Sequence, residues 1–189
     1  MFSKEIITKA ITDIEKASKE NNSELFSKTR DIFQARVDTY VSRTKKYLES
    51  AVIGELGINT FDHNLDYDIN HVRGAYFYYN ENGNFIVLAD FGEGVRQTIS
   101  RVKTVADDLE ALKLVFTEHI SSRSLENRGN GLKFVSESVI DQGWELFFQS
   151  GTAVCSIDKN GMKFYNSDID IIGCLAILDF SGAELWMYR

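Results

Sequence analysis

Residues 85–94 read Phe-Ile-Val-Leu-Ala-Asp-Phe-Gly-Glu-Gly, an apolar run that ends in an acidic residue and two glycines. A short apolar run of this kind, which follows a turn signal, is typical of a buried strand. Asp90 is therefore predicted at the C-terminal end of a central strand, followed by unhindered backbone at Gly92 and Gly94. This arrangement suits a small ligand, because a carboxylate can orient it while the glycines let the backbone approach closely.

Further strands are predicted on both sides of this segment. The dipeptide Asn82-Gly83 predicts a hairpin turn, because both residue types tolerate positive φ, and it pairs residues 85–90 with a strand over 72–79. The C-terminal part predicts three more strands, with a polar insertion between the second and the third around residues 159–170. These strands are expected at 144–149, 152–157 and 171–180.

Helical periodicity appears in four other segments. Apolar residues recur at helical spacing from Phe2 to Ala17, and a second helix is predicted to start near Ser23 and Phe26 and to continue to about Asn64. We expect its aromatic residues to be core rather than partner surface. Two shorter helices are predicted over 107–119 and 132–140.

The C-terminal part of the second predicted helix carries four polar residues on one face, at positions i, i+4, i+7 and i+8: Glu55, Asn59, Asp62 and His63. An amide oxygen can ligate a hard cation such as Mg²⁺, and a carboxylate can accept a proton from water. The alternative is that this face is simply solvated.

A glycine-rich segment, Arg-Gly-Asn-Gly-Leu at 128–132, precedes the last predicted helix. Unpaired N–H groups and the positive end of the helix dipole can hold phosphate oxygens there, with charge from Arg128 and Arg123. The alternative is an ordinary glycine-rich turn. Neither a Walker loop nor a dinucleotide-binding glycine motif is present. The tripeptide Asp-Phe-Gly at 90–92 also occurs in protein kinases, but the chain lacks the other kinase motifs, so a protein-kinase fold is excluded.

Composition restricts the classes of function. The chain has 189 residues and a net charge of −7, so nucleic-acid binding is disfavoured. Its two cysteines, Cys155 and Cys174, each lie in an apolar run, as expected of reduced core thiols rather than a disulfide or metal site. Because no apolar stretch approaches the length of a membrane span, we expect a cytoplasmic protein that binds neither nucleic acid nor membrane.

Three motifs follow one another along the chain: the polar helix face that begins at Glu55, the strand that ends in Asp90 with its two glycines, and the glycine-rich segment 128–132. In this order they resemble the motifs of the GHKL ATPase superfamily, which includes gyrases, heat-shock chaperones, histidine kinases and mismatch-repair proteins. The resemblance spans residues 50–180. It implies an α+β fold of the Bergerat type, a two-layer sandwich with a mixed sheet and helices on one face. Residues 1–49 would form an N-terminal helical extension, 50–189 a histidine-kinase-like ATP-binding domain, and 95–128 a mobile lid over the phosphates.

The resemblance also implies a ligand, ATP or ADP with Mg²⁺, and a role for individual residues. Glu55 would be the catalytic general base, Asn59 would hold Mg²⁺, and Asp90 would accept a hydrogen bond from the adenine amino group. The remaining nucleotide-binding residues would be Asp62, His63, Gly92, Gly94, Val95, Arg123, Arg128, Gly129, Asn130, Gly131, Leu132 and Cys174.

Two departures from the family pattern bear on the activity. Asp62 replaces the basic residue usual in histidine kinases, and Cys174 replaces a threonine that would place a hydroxyl near adenine. No histidine occurs in the first fifty residues, where a phosphoacceptor hairpin would lie. The resemblance therefore favours a slow ATPase or a nucleotide-gated regulator.

Two alternatives remain open at this point. One is a serine protein kinase that resembles the anti-sigma-factor kinases, and the other is a non-catalytic, nucleotide-dependent interaction module. Each would act with a protein partner, and the N-terminal helices would be available to form a homodimer.

Overall fold

The computed structural model describes residues 2–20, 22, 24–63, 74–118 and 131–183. The helices in these ranges are α1 (Lys4–Lys19), α2 (Arg30–Thr44), α3 (Tyr47–His63), α4 (Gly94–Ser100), α5 (Asp108–Thr117) and α6 (Gly131–Gln142). The strands are β1 (Phe26–Ser27), β2 (Ala75–Tyr79), β3 (Phe85–Asp90), β4 (Glu145–Asp158) and β5 (Gly161–Asp179). The predicted α+β class is confirmed.

The five strands form one sheet in the order β1-β2-β3-β5-β4. Every pairing among these described strands is antiparallel, whereas the sequence predicted a mixed sheet. For two of the four pairings the physical reason is local: tight turns connect β2 to β3 and β4 to β5, and a tight turn can join only antiparallel neighbours. Asp90 ends β3, which lies in the middle of the sheet, as predicted.

The turn between β2 and β3 lies at the predicted Asn82-Gly83 position. The side-chain oxygen of Asn80 accepts hydrogen bonds from the backbone N–H groups of Asn84, at 3.0 Å, and Phe85, at 3.1 Å. The hydroxyl of Tyr40 on α2 donates to the carbonyl of Gly83 at 2.9 Å. The predicted hairpin is confirmed, and α2 holds its turn in place.

The C-terminal region forms two long strands instead of the three predicted ones. β4 continues from residue 145 to 158 through a bulge near Gly151, and β5 includes the predicted polar insertion at 159–170. Side chains in this part of β5 alternate, so that Met162 and Phe164 pack on the core while Lys163 is exposed. A half-exposed strand of this kind needs apolar residues at only every second position, which explains why the segment appears polar in sequence.

Helices cover both faces of the sheet, not one as predicted. On β3, Ile86 and Leu88 face a core built with α2, α3, α5 and α6, whereas Val87 and Ala89 face the opposite side. That second side is covered by α1 through its buried residues Ala10, Ile14 and Ala17. Because successive side chains of a strand point to opposite faces, β3 contributes to two apolar layers. In the second layer, α1 is the helix that packs on the sheet.

The long helix predicted over residues 26–64 is three elements: β1, α2 and α3. Thr29 caps the start of α2, and Lys45 ends it in a left-handed conformation with φ 60°. In α3, Gly57 faces the ring of Phe33 on α2, where a β-carbon would overlap the ring, so the glycine permits close packing of the two helices.

Among the described helices, none combines the length and the apolarity that a bilayer crossing requires.

The first part of the predicted lid, residues 95–118, contains α5 and all of α4 except its first residue. Leu112 and Phe116 on α5 are buried in the main core. A small cluster joins the two helices through Ile99, Val105, Ala111 and Leu114. Residues 119–128 of the predicted lid lie outside the described residues.

Candidate functional site

Asp90 is a buried carboxylate held at both oxygens. It is 8% exposed at the end of β3. The backbone N–H of Gly92 donates to Oδ1 at 2.8 Å, and the hydroxyl of Thr60 on α3 donates to Oδ2 at 3.1 Å. Because one donor belongs to the turn after the strand and the other to a helix, the carboxylate has a defined orientation.

Cys174 and Ser150 continue this site across the sheet. Asp90 pairs with Cys174 on β5, and Cys174 pairs in turn with Ser150 on β4. We call Asp90, Cys174 and Ser150 the polar row. Strand alternation places it on the same face as Leu88, which is the face covered by α3 and α6.

Ser150 anchors the start of α4 above the polar row. Its Oγ accepts from the backbone N–H of Val95 at 2.9 Å and donates to the carbonyl of Gly173 at 3.1 Å. Gly94 has φ 76°, and a β-carbon there would lie 2.9 Å from the Ser150 hydroxyl. The space beside Gly94 is therefore occupied by the hydroxyl of Ser150.

Gly173 makes possible the close approach of β5 to Asp90. Its φ is 77°, and a β-carbon at this position would overlap the backbone carbonyl of Asp90. A side chain here would be strained and would push β5 away from the end of β3.

The thiol of Cys174 remains protonated in this environment. Burial raises the pKa of the thiol well above its usual value, and the negative charge of Asp90 raises it further. A neutral thiol is a weak hydrogen-bond donor. A hydroxyl reaches Asp90 instead from Thr60 on α3.

Glu93, between the two glycines of the strand motif, is fixed inward. Its carboxylate accepts from the hydroxyl of Thr98 at 3.2 Å and from the guanidinium of Arg101 at 2.8 Å, and its side chain is fully covered. This pair holds the turn after β3 against α4. The structure therefore gives Glu93 a structural role, which the spacing of the motif did not indicate.

The first and third sequence motifs meet at the N-terminus of α6. Glu55 is exposed on α3, and a β-carbon at Gly131, the first residue of α6, would overlap its Oε2 atom. A carboxylate is favoured at this position because the first N–H groups of a helix lack helical partners and carry partial positive charge. Leu132, the next residue, packs on the main core.

Asn59 lies one helical turn after Glu55 and directly before Thr60. Its side chain is half-buried on α3. Since the hydrogen bond from Thr60 ties this part of α3 to Asp90, the helix connects the two ends of the candidate site. Asp62 and His63 are the last residues of α3, and their side chains lie outside the description, as do four predicted residues in full: Arg123, Arg128, Gly129 and Asn130.

Thr60 and Ser150 are site residues that the sequence analysis missed. Ser150 is a polar residue at the position after Leu146 and Phe148 on the core-facing side of a strand, so strand alternation could have indicated it. Thr60 carries no such signal, because its role depends on which strand the helix crosses.

The candidate site offers few side chains that could ligate a metal ion. Within the described ranges, no group of three or more His, Cys, Asp or Glu side chains could hold a metal ion. On the α3 face that carries the predicted site residues, the described side chains with oxygen donors are Glu55 and Asn59. Two such oxygens suit a Mg²⁺ ion that takes its other ligands from phosphate and water.

Comparisons with known proteins found likenesses in structure but not in sequence. No protein-family model matches the sequence, and no curated protein matches it. The structure is similar to the 43K ATPase domain of Thermus thermophilus gyrase B, solved in complex with an aminocoumarin, with a TM-score of 0.41 and 13% sequence identity. The match covers 76% of this chain and 38% of the gyrase chain.

Proposed function

We propose that this protein binds Mg-ATP and acts as a slow ATPase or a nucleotide-gated regulator. The observation that carries the proposal is the hydrogen bond from Thr60 to Asp90. It joins the helix motif to the strand motif, two segments that lie 30 positions apart in the chain. Their order in the sequence is the one that the GHKL resemblance requires.

Asp90 would bind the base. A buried carboxylate is an acceptor, so it selects a ligand that presents a donor, such as the amino group of adenine. Its fixed orientation supports this role, because a preorganised acceptor does not have to be ordered when the ligand binds.

The phosphates would lie toward the N-terminus of α6, where backbone N–H groups and the helix dipole favour anions. Asn59 would hold Mg²⁺, which would supply charge neutralisation of the phosphates when bound. Glu55, beside the same helix end, would accept a proton from an attacking water at a carboxylate oxygen.

Calorimetric titration with ATP and ADP, each with Mg²⁺, tests binding. We expect saturable binding by the intact protein and loss of at least tenfold in affinity for Asn59→Ala and Asp90→Asn, because each removes a group that touches the ligand. Asp141→Asn, an exposed residue near the end of α6, is the matched control. Absence of binding by the intact protein, or equal binding by all variants, contradicts the proposal.

Release of inorganic phosphate tests catalysis separately. Glu55→Gln keeps the size of the side chain but removes the proton acceptor, so we expect retained ATP binding and hydrolysis reduced by a factor of at least about 100. Tight binding by the intact protein without any hydrolysis would instead support the non-catalytic interaction module.

A further inference from the structure

We propose that Thr60 is a positioning residue that sets base selectivity at Asp90, an inference that rests on the proposed nucleotide site. Its hydroxyl donates to Oδ2 of Asp90 at 3.1 Å. Both residues are buried, with Thr60 9% and Asp90 8% exposed. The hydrogen bond is therefore shielded from water, which strengthens it.

The geometry gives Thr60 a specific task. Rotation about the last side-chain bond of Asp90 would exchange its two oxygens, and the N–H of Gly92 at 2.8 Å restrains only Oδ1. Thr60 restrains Oδ2 from a different element, so the plane of the carboxylate is fixed by two donors in two directions. A fixed plane discriminates between a base that presents an amino group and one that presents a carbonyl oxygen.

Thr60 also provides the hydroxyl that position 174 lacks. Cys174 pairs directly with Asp90 on the neighbouring strand, but its protonated thiol is a weak donor. Ser150, the other hydroxyl of the polar row, donates to the carbonyl of Gly173. Thr60, by contrast, donates its hydroxyl directly to the carboxylate of Asp90.

The same hydrogen bond fixes the spacing between the two ends of the ligand. Asn59 precedes Thr60 on α3, and Asp90 ends β3. Any slide of α3 along the sheet would stretch the bond between Thr60 and Asp90. The bond from Thr60 therefore restrains the distance between the proposed metal-binding amide and the proposed base-binding carboxylate.

The test compares ATP with inosine triphosphate, which carries a carbonyl oxygen where adenine has its amino group. Thr60→Val keeps the shape and removes the hydroxyl, and Thr60→Ser keeps the hydroxyl. We expect the intact protein and Thr60→Ser to prefer ATP, and Thr60→Val to bind ATP about tenfold more weakly with little change for inosine triphosphate. Thr39→Val, an exposed threonine on α2, is the control for the same substitution in a helix.

The outcomes separate this inference from the proposed function. An intact protein that binds neither nucleotide contradicts both. Selective binding of ATP that is unchanged in Thr60→Val overturns the role of Thr60 and leaves the proposed function standing. Where Thr60→Val does not fold by circular dichroism, Thr60→Ala serves instead, and a folded Thr60→Ser that loses selectivity overturns the inference.

Discussion

Ser150 shows how one small side chain can hold several elements together. It lies on β4, and its hydroxyl is bonded both to the start of α4 and to β5. Buried hydroxyls with a donor and an acceptor on separate elements contribute through both bonds, and their loss leaves backbone groups unsatisfied. The same residue lies at the end of the polar row, next to the candidate base site.

Ser150→Ala should destabilise the protein by about 1–3 kcal/mol, because the N–H of Val95 and the carbonyl of Gly173 both lose a partner. Urea denaturation monitored by circular dichroism measures the change. Ser42→Ala, on the exposed side of α2, is the control and should change stability by less than about 0.5 kcal/mol. Equal stability of the two variants would show that Ser150 is not an anchor.

Buried titratable groups predict how stability depends on pH. Burial raises the pKa of Cys155 to about 12, whereas an ordinary thiol in the unfolded chain titrates near 9.0. Between these two pH values the folded state retains a proton that the unfolded chain has lost, so stability must fall as pH rises. Burial also raises the pKa of Tyr76 to about 12, which adds to the same trend.

Urea denaturation from pH 8 to pH 11 checks this prediction. In Cys155→Ala the decline of stability with pH should be shallower, by up to about 1.4 kcal/mol per pH unit. Val154→Ala, a buried neighbour that does not titrate, should lower stability at every pH without changing the slope. A slope that is the same in both variants would contradict the assignment to Cys155.

Among the elements, α5 lies within the segment that the resemblance predicts to be a lid. Asp108 in its first turn accepts hydrogen bonds from the backbone N–H and the hydroxyl of Thr152 on β4, at 3.2 and 3.3 Å. Arg96 on α4 lies 3.7 Å from the same carboxylate. This contact fastens α5 to the bulge of β4, two residues from Ser150.

Asp108→Ala should loosen α5 without unfolding the sheet, because it removes the acceptor of both bonds from Thr152. We expect faster amide hydrogen exchange in residues 108–117 and a loss of about 1–3 kcal/mol in stability. Lys113→Ala, on the exposed side of the same helix, should leave exchange in α5 unchanged. Unchanged exchange in Asp108→Ala would mean that core packing alone holds the helix.

The molecule as a whole depends on α1 to cover the second face of the sheet. Ile14 on α1 is buried against that face, in a cluster that includes Val87 and Ile177. An apolar stripe that is already packed within the chain is not available for pairing with a second copy unless α1 leaves the sheet. Pairing of two copies through this stripe would therefore require α1 to be displaced from the sheet.

Ile14→Asp should destabilise the monomer by several kcal/mol, because it places a charge in an apolar layer. Ile6→Asp makes the same change on the same helix at a residue that is 40% exposed, in the first turn, where an acid is favoured. Urea denaturation combined with light scattering shows whether the apolar stripe of α1 is part of the core of one chain or an interface between two copies. If Ile14→Asp stays stable but converts a dimer into monomers, the stripe is an interface and not a core.

Much of the architecture follows from local pattern. The turn at Asn82-Gly83, the apolar run that ends in Asp90 and the helix after Gly131 all lie where propensity and periodicity predict them, because each depends on residues a few positions apart. The break at Lys45 was missed, since a left-handed lysine leaves no compositional signal. The course of β5 through residues 161–170 was missed because most of these residues are polar, so the apolar–polar alternation of a strand is weak there.

The contacts between distant segments could not be obtained in this way. The motif order indicated that the helix carrying Asn59 and the strand ending in Asp90 belong to one site, but not that Thr60 would contact the carboxylate. Which face α1 would cover, and which serine would meet the start of α4, depends on the order of strands in the sheet. Local sequence governs backbone conformation over a few residues, whereas these contacts arise from the packing of whole elements, whose relative positions depend on the complete core.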